Sequence, residues 1–344
     1  MRMDWKCLGA LLAVAIACAA EEKIKVVASL PTLGSIAAAV GGNEVEVTSI
    51  AAGNQDEHFV DPKPSFMTLL RDAQVLFVNG LELEIGWIPP LVDGSRNAEI
   101  RPGSDGYVDC SAGIPTLEVP AAGATRAEGD VHPLGNPHYV LDPLNAKTIA
   151  KTMSDAFARI RPAGAEGFEE RCREFCKRID VALFGDALVD AVGGSKLSRL
   201  LESGELWDYL AMESVDGQAL LSKLGGWLAA AAPVRGKKIV TYHKSLSYLT
   251  HRFGIEVAEY VEPKPGIAPS PAHLVELVGL MRDGGIRVVV RFPFNEGKST
   301  DLLAEKTGAK AIVVPLEVGG ADGVDDYFKL IDRIVGDIAA ASGS

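Results

Sequence analysis

Short, almost continuously apolar segments alternate along the chain with segments in which apolar residues recur at helical spacing. In the first part of the chain the pattern predicts strands at 23–30, 44–50 and 75–79, with helices at 32–40 and 64–72 between them. Continuous apolar runs of this length are typical of strands that are buried on both faces of a parallel sheet. The β-α-β-α-β order therefore predicts a parallel sheet flanked by helices.

The same order returns in the last part of the chain. The segment PSFMTLLRDAQVLFVNG also resembles the later segment PAHLVELVGLMRDGGIRVVVRF. This similarity predicts a second α/β lobe of similar build. Its predicted strands are 236–242, 255–261, 286–291 and 311–314, and a closing helix is predicted at 327–341.

A mostly helical stretch separates the two regions. Residues 145–160 carry apolar residues at helical spacing, Pro162 interrupts the pattern, and a helix over 167–183 is long enough to connect two lobes. Residues 187–232 form a further helical region whose role the pattern does not reveal. We therefore expect an α/β fold of two lobes, each with a mostly parallel sheet flanked by helices, joined by a long linker helix. The expected divisions are a first lobe at 21–160, a linker helix with a helical insertion at 161–234, and a second lobe at 235–344.

Residues 1–20 have the pattern of a secretory signal. Arg2 and Lys6 precede an apolar run at 8–17, which small residues follow. The run is too short to span a bilayer, and no later stretch is apolar enough to do so. Cleavage at an A-x-A-like site would release the chain, whereas a lipobox-like reading of 15–18 would leave Cys18 lipid-modified. Either reading predicts a periplasmic or other extracytoplasmic protein.

Composition excludes one large class of partners. The 344-residue chain has a formal net charge of −12 and only 6% aromatic residues. A negative surface repels nucleic-acid phosphates, and few aromatic rings are present for base stacking. We expect no nucleic-acid partner.

The cysteines predict neither a disulfide framework nor a thiolate metal site. Cys7 and Cys18 lie in the signal segment, which leaves Cys110, Cys172 and Cys176. An oxidising compartment permits a bond among these three, and the sequence does not select one. Thiolate ligation of a metal is not expected, because the chain contains no C-x-x-C pair.

Three of the six histidines lie where an α/β fold binds ligands. His58 and His243 follow predicted parallel strands, and His138 precedes the helix at 145–160. A single histidine is usually only a polar residue, but three that converge favour Zn²⁺ over Mn²⁺, which prefers carboxylates and water. Glu57 could add an oxygen ligand, or it could belong to a solvated acidic loop.

The segments around these histidines resemble a known family over nearly the whole mature chain. They are VVASLPTLGSIAAAVGG, EHFVDPKPS, NPHYVLDP, and VTYHKSLSYLTHRFGIEV followed by EPKPGIAPSPAHL. Together they resemble the zinc- and manganese-binding solute-binding proteins that supply ABC importers.

The resemblance implies two α/β lobes that are joined by a rigid long helix and hold one metal ion at their interface. It implies that His58, His138 and His243 are ligands. His243 favours zinc, since manganese-binding members have a carboxylate there, and Glu57 matches a ligand position of some zinc-binding members. Asp142 is expected either to cap the following helix or to orient the ligand-bearing loop.

The sequence departs from the family pattern in three places. Where many members have a ligating Asp, this chain reads AIVVPLEVGG, with Pro315 near the expected position. The fourth ligand would then be Glu57, a water molecule or His132. Zinc-binding members commonly have a His-rich acidic loop, which is expected near 121–132. This chain has one histidine there, which argues against capture of zinc by such a loop. The region at 186–232 is also longer than the usual connection.

These observations predict a receptor and not an enzyme. The expected function is capture of Zn²⁺ between two lobes and its delivery to the membrane permease of an ABC importer, by a monomeric protein. One alternative is a secreted zinc-dependent hydrolase with Glu57 as general base, although the chain lacks an H-E-x-x-H helix. Another is a manganese-binding receptor or adhesin-like lipoprotein.

Overall fold

A computed structural model describes residues 22–120, 132–264 and 266–343. The predicted secretory signal at 1–20, with Cys18, lies outside the described residues, as does the loop at 121–131. Among the described residues, every helix is too short or too polar to traverse a lipid bilayer.

The first lobe is built on a sheet of four parallel strands in the order β2-β1-β3-β4. Its central strands are almost wholly buried, as their apolar sequences require. The strands are Ile24–Ala28 (β1), Val45–Ser49 (β2), Val75–Val78 (β3) and Tyr107–Asp109 (β4). The helices are Pro31–Gly41 (α1), Pro64–Arg71 (α2) and Ile88–Ser95 (α3).

Two long helices follow and pack against each other and against α1. They are Pro143–Ile160 (α4) and Ala165–Phe184 (α5), separated by a short 3-10 turn at Pro162–Gly164. Phe157 of α4 and Phe168 of α5 contact each other with ring centroids 5.3 Å apart and ring planes inclined by 40°. The predicted interruption at Pro162 and the predicted long linker helix are thus both present.

The region predicted as helical at 187–232 also contains a β-hairpin, which corrects that prediction. Asp216 and Gly217 both have positive φ, at 53° and 75°, as a two-residue hairpin turn requires. The elements are Asp186–Val192 (α6), Gly194–Glu202 (α7), Leu206–Met212 (α8), Ser214–Val215 (β5), Gln218–Ala219 (β6) and Gly226–Ala230 (α9).

The second lobe repeats the parallel architecture of the first, with strand order β10-β9-β7-β8. The strands are Lys238–Thr241 (β7), Glu256–Tyr260 (β8), Val288–Arg291 (β9) and Lys310–Val313 (β10). The helices are Ser247–Phe253 (α10), Pro271–Asp283 (α11), Lys298–Thr307 (α12) and Tyr327–Ser342 (α13). The predicted α/β fold of two parallel sheets with a long linker helix is therefore confirmed.

One continuous apolar core runs from the first sheet through α4 and α5 into the second lobe. Phe175 of α5 packs against Tyr327 and Phe328 of α13, with ring centroids 6.1 and 5.4 Å apart. Because the linker helix is part of the core and not an exposed tether, large movements of one lobe against the other would expose buried apolar surface.

Candidate metal centre

Three histidines from three separate segments meet in the structure. His58 lies in the loop after β2, His138 lies just before the turn that leads into α4, and His243 directly follows β7. One ring nitrogen from each lies within 4.8 Å of the corresponding nitrogens of the other two. The ring centroids are 5.2 Å apart for His58 and His138 and 5.5 Å apart for each of the other two pairs. The arrangement is nearly an equilateral triangle.

His138 is the most deeply buried of the three rings. It is only 2% exposed, and its Nε2 atom has no hydrogen-bond partner within the protein. Burial lowers the pKa of His138 well below its ordinary value, and the neighbouring His58, His243 and His132 lower it further. The ring is therefore neutral at physiological pH. A buried, neutral imidazole nitrogen without a protein partner has the form that a metal ion binds.

Each of the three rings has its Nδ1 atom within hydrogen-bond distance of a carboxylate. The pairs are His58 with Asp56 at 2.9 Å, His138 with Glu57 at 2.6 Å, and His243 with Glu262 at 2.8 Å. A carboxylate at Nδ1 fixes the tautomer, since Nδ1–H donates to it and Nε2 keeps its lone pair. This arrangement orients ligating histidines in metalloproteins and makes them better donors.

Glu57 contacts the side of the His138 ring that carries Nδ1. Its Oε1 accepts the hydrogen bond from Nδ1, and its backbone carbonyl accepts a hydrogen bond from Trp87 Nε1 at 3.0 Å. Burial raises the pKa of the Glu57 carboxyl well above its ordinary value, and the nearby Glu317 raises it further. The raised pKa favours a neutral Glu57 carboxyl, and the hydrogen bond between this group and Nδ1 orients the His138 ring.

The sequence analysis did not single out Glu317, Asp56 or Glu262. Glu317 is 1% exposed, its Oε2 accepts a hydrogen bond from the Thr32 backbone at 2.8 Å, and its carboxyl group contacts Glu57. Glu317 follows the strand in which the family pattern has an acidic ligand, two positions beyond Pro315. The signal in the sequence was one acidic residue within an otherwise apolar and glycine-containing segment, PLEVGG.

His132 lies beside this triangle of rings. Its Nε2 atom is 3.2 Å from Nε2 of His58, and the ring centroids are 5.2 Å apart. Two nitrogens bound to one tetrahedral zinc at bond lengths of about 2.0–2.1 Å are separated by about 3.3 Å. The two Nε2 atoms therefore have the spacing of two ligands of the same ion.

Contacts between the lobes fix the loop that carries His138. Asn136 accepts the His138 backbone N–H at 2.9 Å and donates to the Lys244 carbonyl at 2.9 Å, next to His243. Asp142 caps α4 by accepting the Leu144 backbone N–H and also forms an ion pair with Arg252 of the second lobe at 2.7 Å. The capping role that was weighed for Asp142 is therefore present.

The space beside the histidines is small. A cavity of about 30 Å³ is lined by His58, His243, Asp56 and Glu262, among others. A drug-sized organic ligand requires about 300 Å³ or more. The cavity is thus suited to a single ion or a water molecule and not to a bulky ester or peptide.

Comparison with known proteins agrees with this geometry. The sequence model of the family described as zinc-uptake complex component A, periplasmic (ZnuA), matches residues 26–182 and 218–341. A Treponema pallidum protein that is named for metal binding is 23% identical over 293 residues, covering 84% of this chain and 78% of that protein. The manganese ABC transporter substrate-binding lipoprotein PsaA of Streptococcus mitis is 25% identical over 165 residues, covering 47% of this chain and half of that protein.

The fold is also found among solved structures. The crystal structure of ZnuA superimposes with a TM-score of 0.68 at 19% identity, covering 93% of this chain and all of that chain. The family match covers most of the chain and includes all three clustered histidines. The chain therefore belongs to the family of zinc-uptake complex component A, a family of metal-binding substrate-binding proteins of ABC importers.

Proposed function

We propose that this protein captures Zn²⁺ outside the cytoplasm, holds it between its two lobes and delivers it to the membrane permease of an ABC importer. The observation that carries the proposal is the convergence of His58, His138 and His243, each held at Nδ1 by a carboxylate. In this role the ion is cargo and not a cofactor, so the site must both bind it tightly and release it.

The donor set favours zinc over manganese. The clustered ligand atoms are imidazole nitrogens, and the carboxyl groups of Asp56, Glu57 and Glu262 are each engaged with a ring Nδ1. Tetrahedral sites with imidazole ligands suit Zn²⁺, whereas Mn²⁺ prefers carboxylate, carbonyl and water oxygens. The relative PsaA is named as a manganese ABC transporter substrate-binding lipoprotein. Binding of Mn²⁺ is therefore the alternative that the experiment must distinguish from binding of Zn²⁺.

We further propose His132 as the fourth ligand. Its spacing from His58 matches two ligands of one tetrahedral ion, as derived above. His132 lies shortly before Asn136, whose side chain accepts a hydrogen bond from the backbone N–H of His138. The segment that carries His132 is therefore held close to the three clustered histidines. Glu57 and a water molecule are the other two groups weighed for this position, and Glu57 would have to give up its hydrogen bond to His138 to reach the ion.

The proposal also covers the location of the protein in the cell, the movement of its lobes and its oligomeric state. An N-terminal secretory signal at 1–20, with or without lipid modification of Cys18, would place the protein outside the cytoplasm. The shared core supports small lobe movements on binding, and one small site between two lobes of one chain is consistent with a monomer.

Titration calorimetry with metal analysis tests this function. Wild-type protein stripped of metal is expected to bind one Zn²⁺ per chain far more tightly than Mn²⁺. His243→Ala should weaken zinc binding at least about tenfold, because it removes an inner ligand. His251→Ala is the matched control, because His251 is an exposed histidine of α10 and its loss should change nothing. Tighter binding of Mn²⁺, or equal zinc affinity in both variants, would contradict the proposal.

A further inference from the structure

The loop that follows β3 contains a strained turn. Gly80, Leu81 and Glu82 have successive positive φ angles of 79°, 51° and 63°. Two of these residues are not glycine, and a positive φ is unfavourable for a residue with a side chain. At Gly80 a Cβ atom would also clash with the Asp109 carboxylate. Backbone strain of this kind persists only where neighbouring groups stabilise it.

The carboxyl group of Glu84 stabilises this turn. The Glu84 side chain is buried. Its Oε1 accepts the backbone N–H of Asn79 at 2.6 Å, and its Oε2 accepts the backbone N–H of Gly80 at 3.1 Å. Both carboxyl oxygens are therefore bonded to the backbone at the start of the turn.

Asn79 connects the turn to the metal centre. Its Nδ2 donates to the Pro137 carbonyl at 2.9 Å, and its backbone carbonyl accepts a hydrogen bond from the Tyr139 hydroxyl at 2.6 Å. Pro137 and Tyr139 are the two chain neighbours of His138. Asn79 is fully buried, so water does not compete for these bonds. One residue of the turn is thus bonded on both sides of the most deeply buried of the three clustered histidines.

The end of the same loop contacts the segment of a second histidine. The backbone N–H of Trp87 donates to the Glu84 carbonyl at 3.0 Å. The buried indole Nε1 of Trp87 donates to the backbone carbonyl of Glu57, which precedes His58. Glu84 therefore lies between the segments that carry His138 and His58.

We propose that Glu84 is a positioning residue of the metal centre, which fixes the place of His138 by bonding the backbone of Asn79 and Gly80. This role rests on the proposed function, because it concerns the same site. It differs from the role of the three carboxyl groups at the ring Nδ1 atoms. Those groups orient the imidazole rings, whereas Glu84 fixes the backbone on which one ring is carried.

The surroundings of Glu84 make its ionisation sensitive to pH near neutrality. Burial raises the pKa of Glu84 to about 7, although the hydrogen bonds from Asn79 and Gly80 lower it. The titratable groups around the carboxyl are acids, namely Tyr107, Asp109 and Cys110 in and just after β4, Tyr139 before α4, and Glu57 after β2. Because none of these five is a cation, an ionised Glu84 depends on the backbone N–H groups for stabilisation.

Ionisation of Glu84 and zinc binding should favour each other. A carboxylate accepts both backbone N–H groups strongly, whereas a neutral carboxyl group carries a proton on one of its two oxygens. Zinc binding requires His138 in place and therefore favours the ionised form. Since such coupling is reciprocal, zinc binding should release a proton from Glu84 near neutral pH, and protonation of Glu84 should weaken zinc binding.

The test compares Glu84→Gln with the wild-type full chain, and Glu82→Gln is the matched control. Glutamine keeps the size of the side chain, but it is neutral at every pH and turns an amide NH₂ towards one of the two backbone donors. Glu82 lies in the same loop and is only half-buried. Chelator competition should show that Glu84→Gln binds zinc about tenfold more weakly than wild type at about pH 8 and almost equally at about pH 6. Glu82→Gln should follow wild type at both pH values.

Nuclear magnetic resonance of the metal-free protein provides a measurement that does not depend on zinc. In wild type, the backbone amide signals of Asn79 and Gly80 should titrate with a midpoint near the Glu84 pKa of about 7. The amide signals of His138 and Tyr139 should shift with the same midpoint, because Asn79 is bonded to their segment. This component of the titration should be lost in Glu84→Gln.

Wild-type zinc affinity in Glu84→Gln at about pH 8, or a deficit of the same size at about pH 6, would overturn the inference. So would wild-type Asn79 and Gly80 signals whose titration leaves those of His138 and Tyr139 unmoved, a result that needs no variant to fold. Failure of wild-type protein to bind zinc would instead contradict the proposed function, and the titration of the metal-free protein would still decide whether Glu84 positions the segment of His138.

Discussion

At the scale of single residues, the candidate metal centre combines three clustered histidines with three carboxyl groups that hold their rings. Asp56, Glu57 and Glu262 each hold one ring by Nδ1 and so direct Nε2 inward. The motifs around His58, His138 and His243 predicted that these histidines come together, and they do so in the structure. Glu317 could not be found in that way, because its contact with Glu57 joins positions 260 residues apart in the chain, which only the fold brings together.

Glu262 offers a direct test of the orienting role. Glu262→Ala frees Nδ1 of His243, so the ring loses its fixed tautomer and orientation. Zinc affinity should fall by about 10–100-fold while the fold is kept. Competition with a zinc chelator measures the change. Glu276→Ala, an exposed glutamate of α11, is the control and should leave the affinity unchanged. Wild-type affinity in Glu262→Ala would show that the carboxylate does not orient the ligand.

Acid should release the ion. Zinc binds only neutral imidazole, and protons compete for the same Nε2 atoms. Burial holds the pKa of His138 well below its ordinary value, so this ligand stays neutral in the unloaded protein at neutral pH and needs no deprotonation before it binds. Zinc affinity should therefore be high near neutrality and fall at least about tenfold between about pH 7.5 and about pH 5.5. Chelator competition at each pH provides the measurement, and a flat profile would contradict histidine ligation.

At the scale of elements, α4 and α10 connect the site to both lobes. Asp142, which caps α4, is buried, and Arg252 of α10 donates to both of its carboxylate oxygens. This pair lies between the segments that carry His138 and His243. The pair thereby joins the segment that follows His138 to the helix that follows His243.

Arg252→Gln tests this connection. Removing one partner of a buried ion pair leaves an uncompensated charge, which destabilises the fold by about 3–5 kcal/mol. Denaturant unfolding of the metal-free protein should reveal the loss. Arg333→Gln is the control, because it breaks an exposed pair with Asp337 on α13 and should cost only about 0.3–0.5 kcal/mol. Similar losses in the two variants would mean that the Asp142–Arg252 pair does not hold the lobes.

The elements themselves were predictable where the apolar pattern was long and regular. The strands of both sheets other than β4, together with α4 and α5, followed from their periodicity. The apolar pattern did not reveal β4 or α3. β4 has only three residues. α3 has two consecutive prolines in its first turn, which favour the start of a helix but leave little helical periodicity. The β5–β6 hairpin was marked by its Asp216-Gly217 turn, and the helical character of the surrounding sequence concealed it.

At the scale of the whole molecule, the lobes share one core through α5. Similarity between the two halves of the sequence predicted two lobes, but the way in which the linker helix packs against both required the structure. Contacts such as Phe175 with Phe328 cannot persist if the lobes swing widely apart.

Metal binding is therefore expected to change the overall shape very little. The radius of gyration measured by small-angle X-ray scattering should differ by less than about 0.5 Å between the metal-free and zinc-bound protein. A larger contraction on addition of zinc would contradict the rigid connection through α5.

Zinc-edge X-ray absorption of the zinc-loaded protein, recorded with and without excess Mn²⁺, tests the ligand assignment most directly. We predict one zinc per chain with four nitrogen or oxygen neighbours at about 2.0–2.1 Å, multiple scattering from at least three imidazole rings, and no displacement by Mn²⁺. Displacement of the zinc by Mn²⁺, or a spectrum with fewer than two imidazole rings, would contradict a zinc receptor built on His58, His138 and His243.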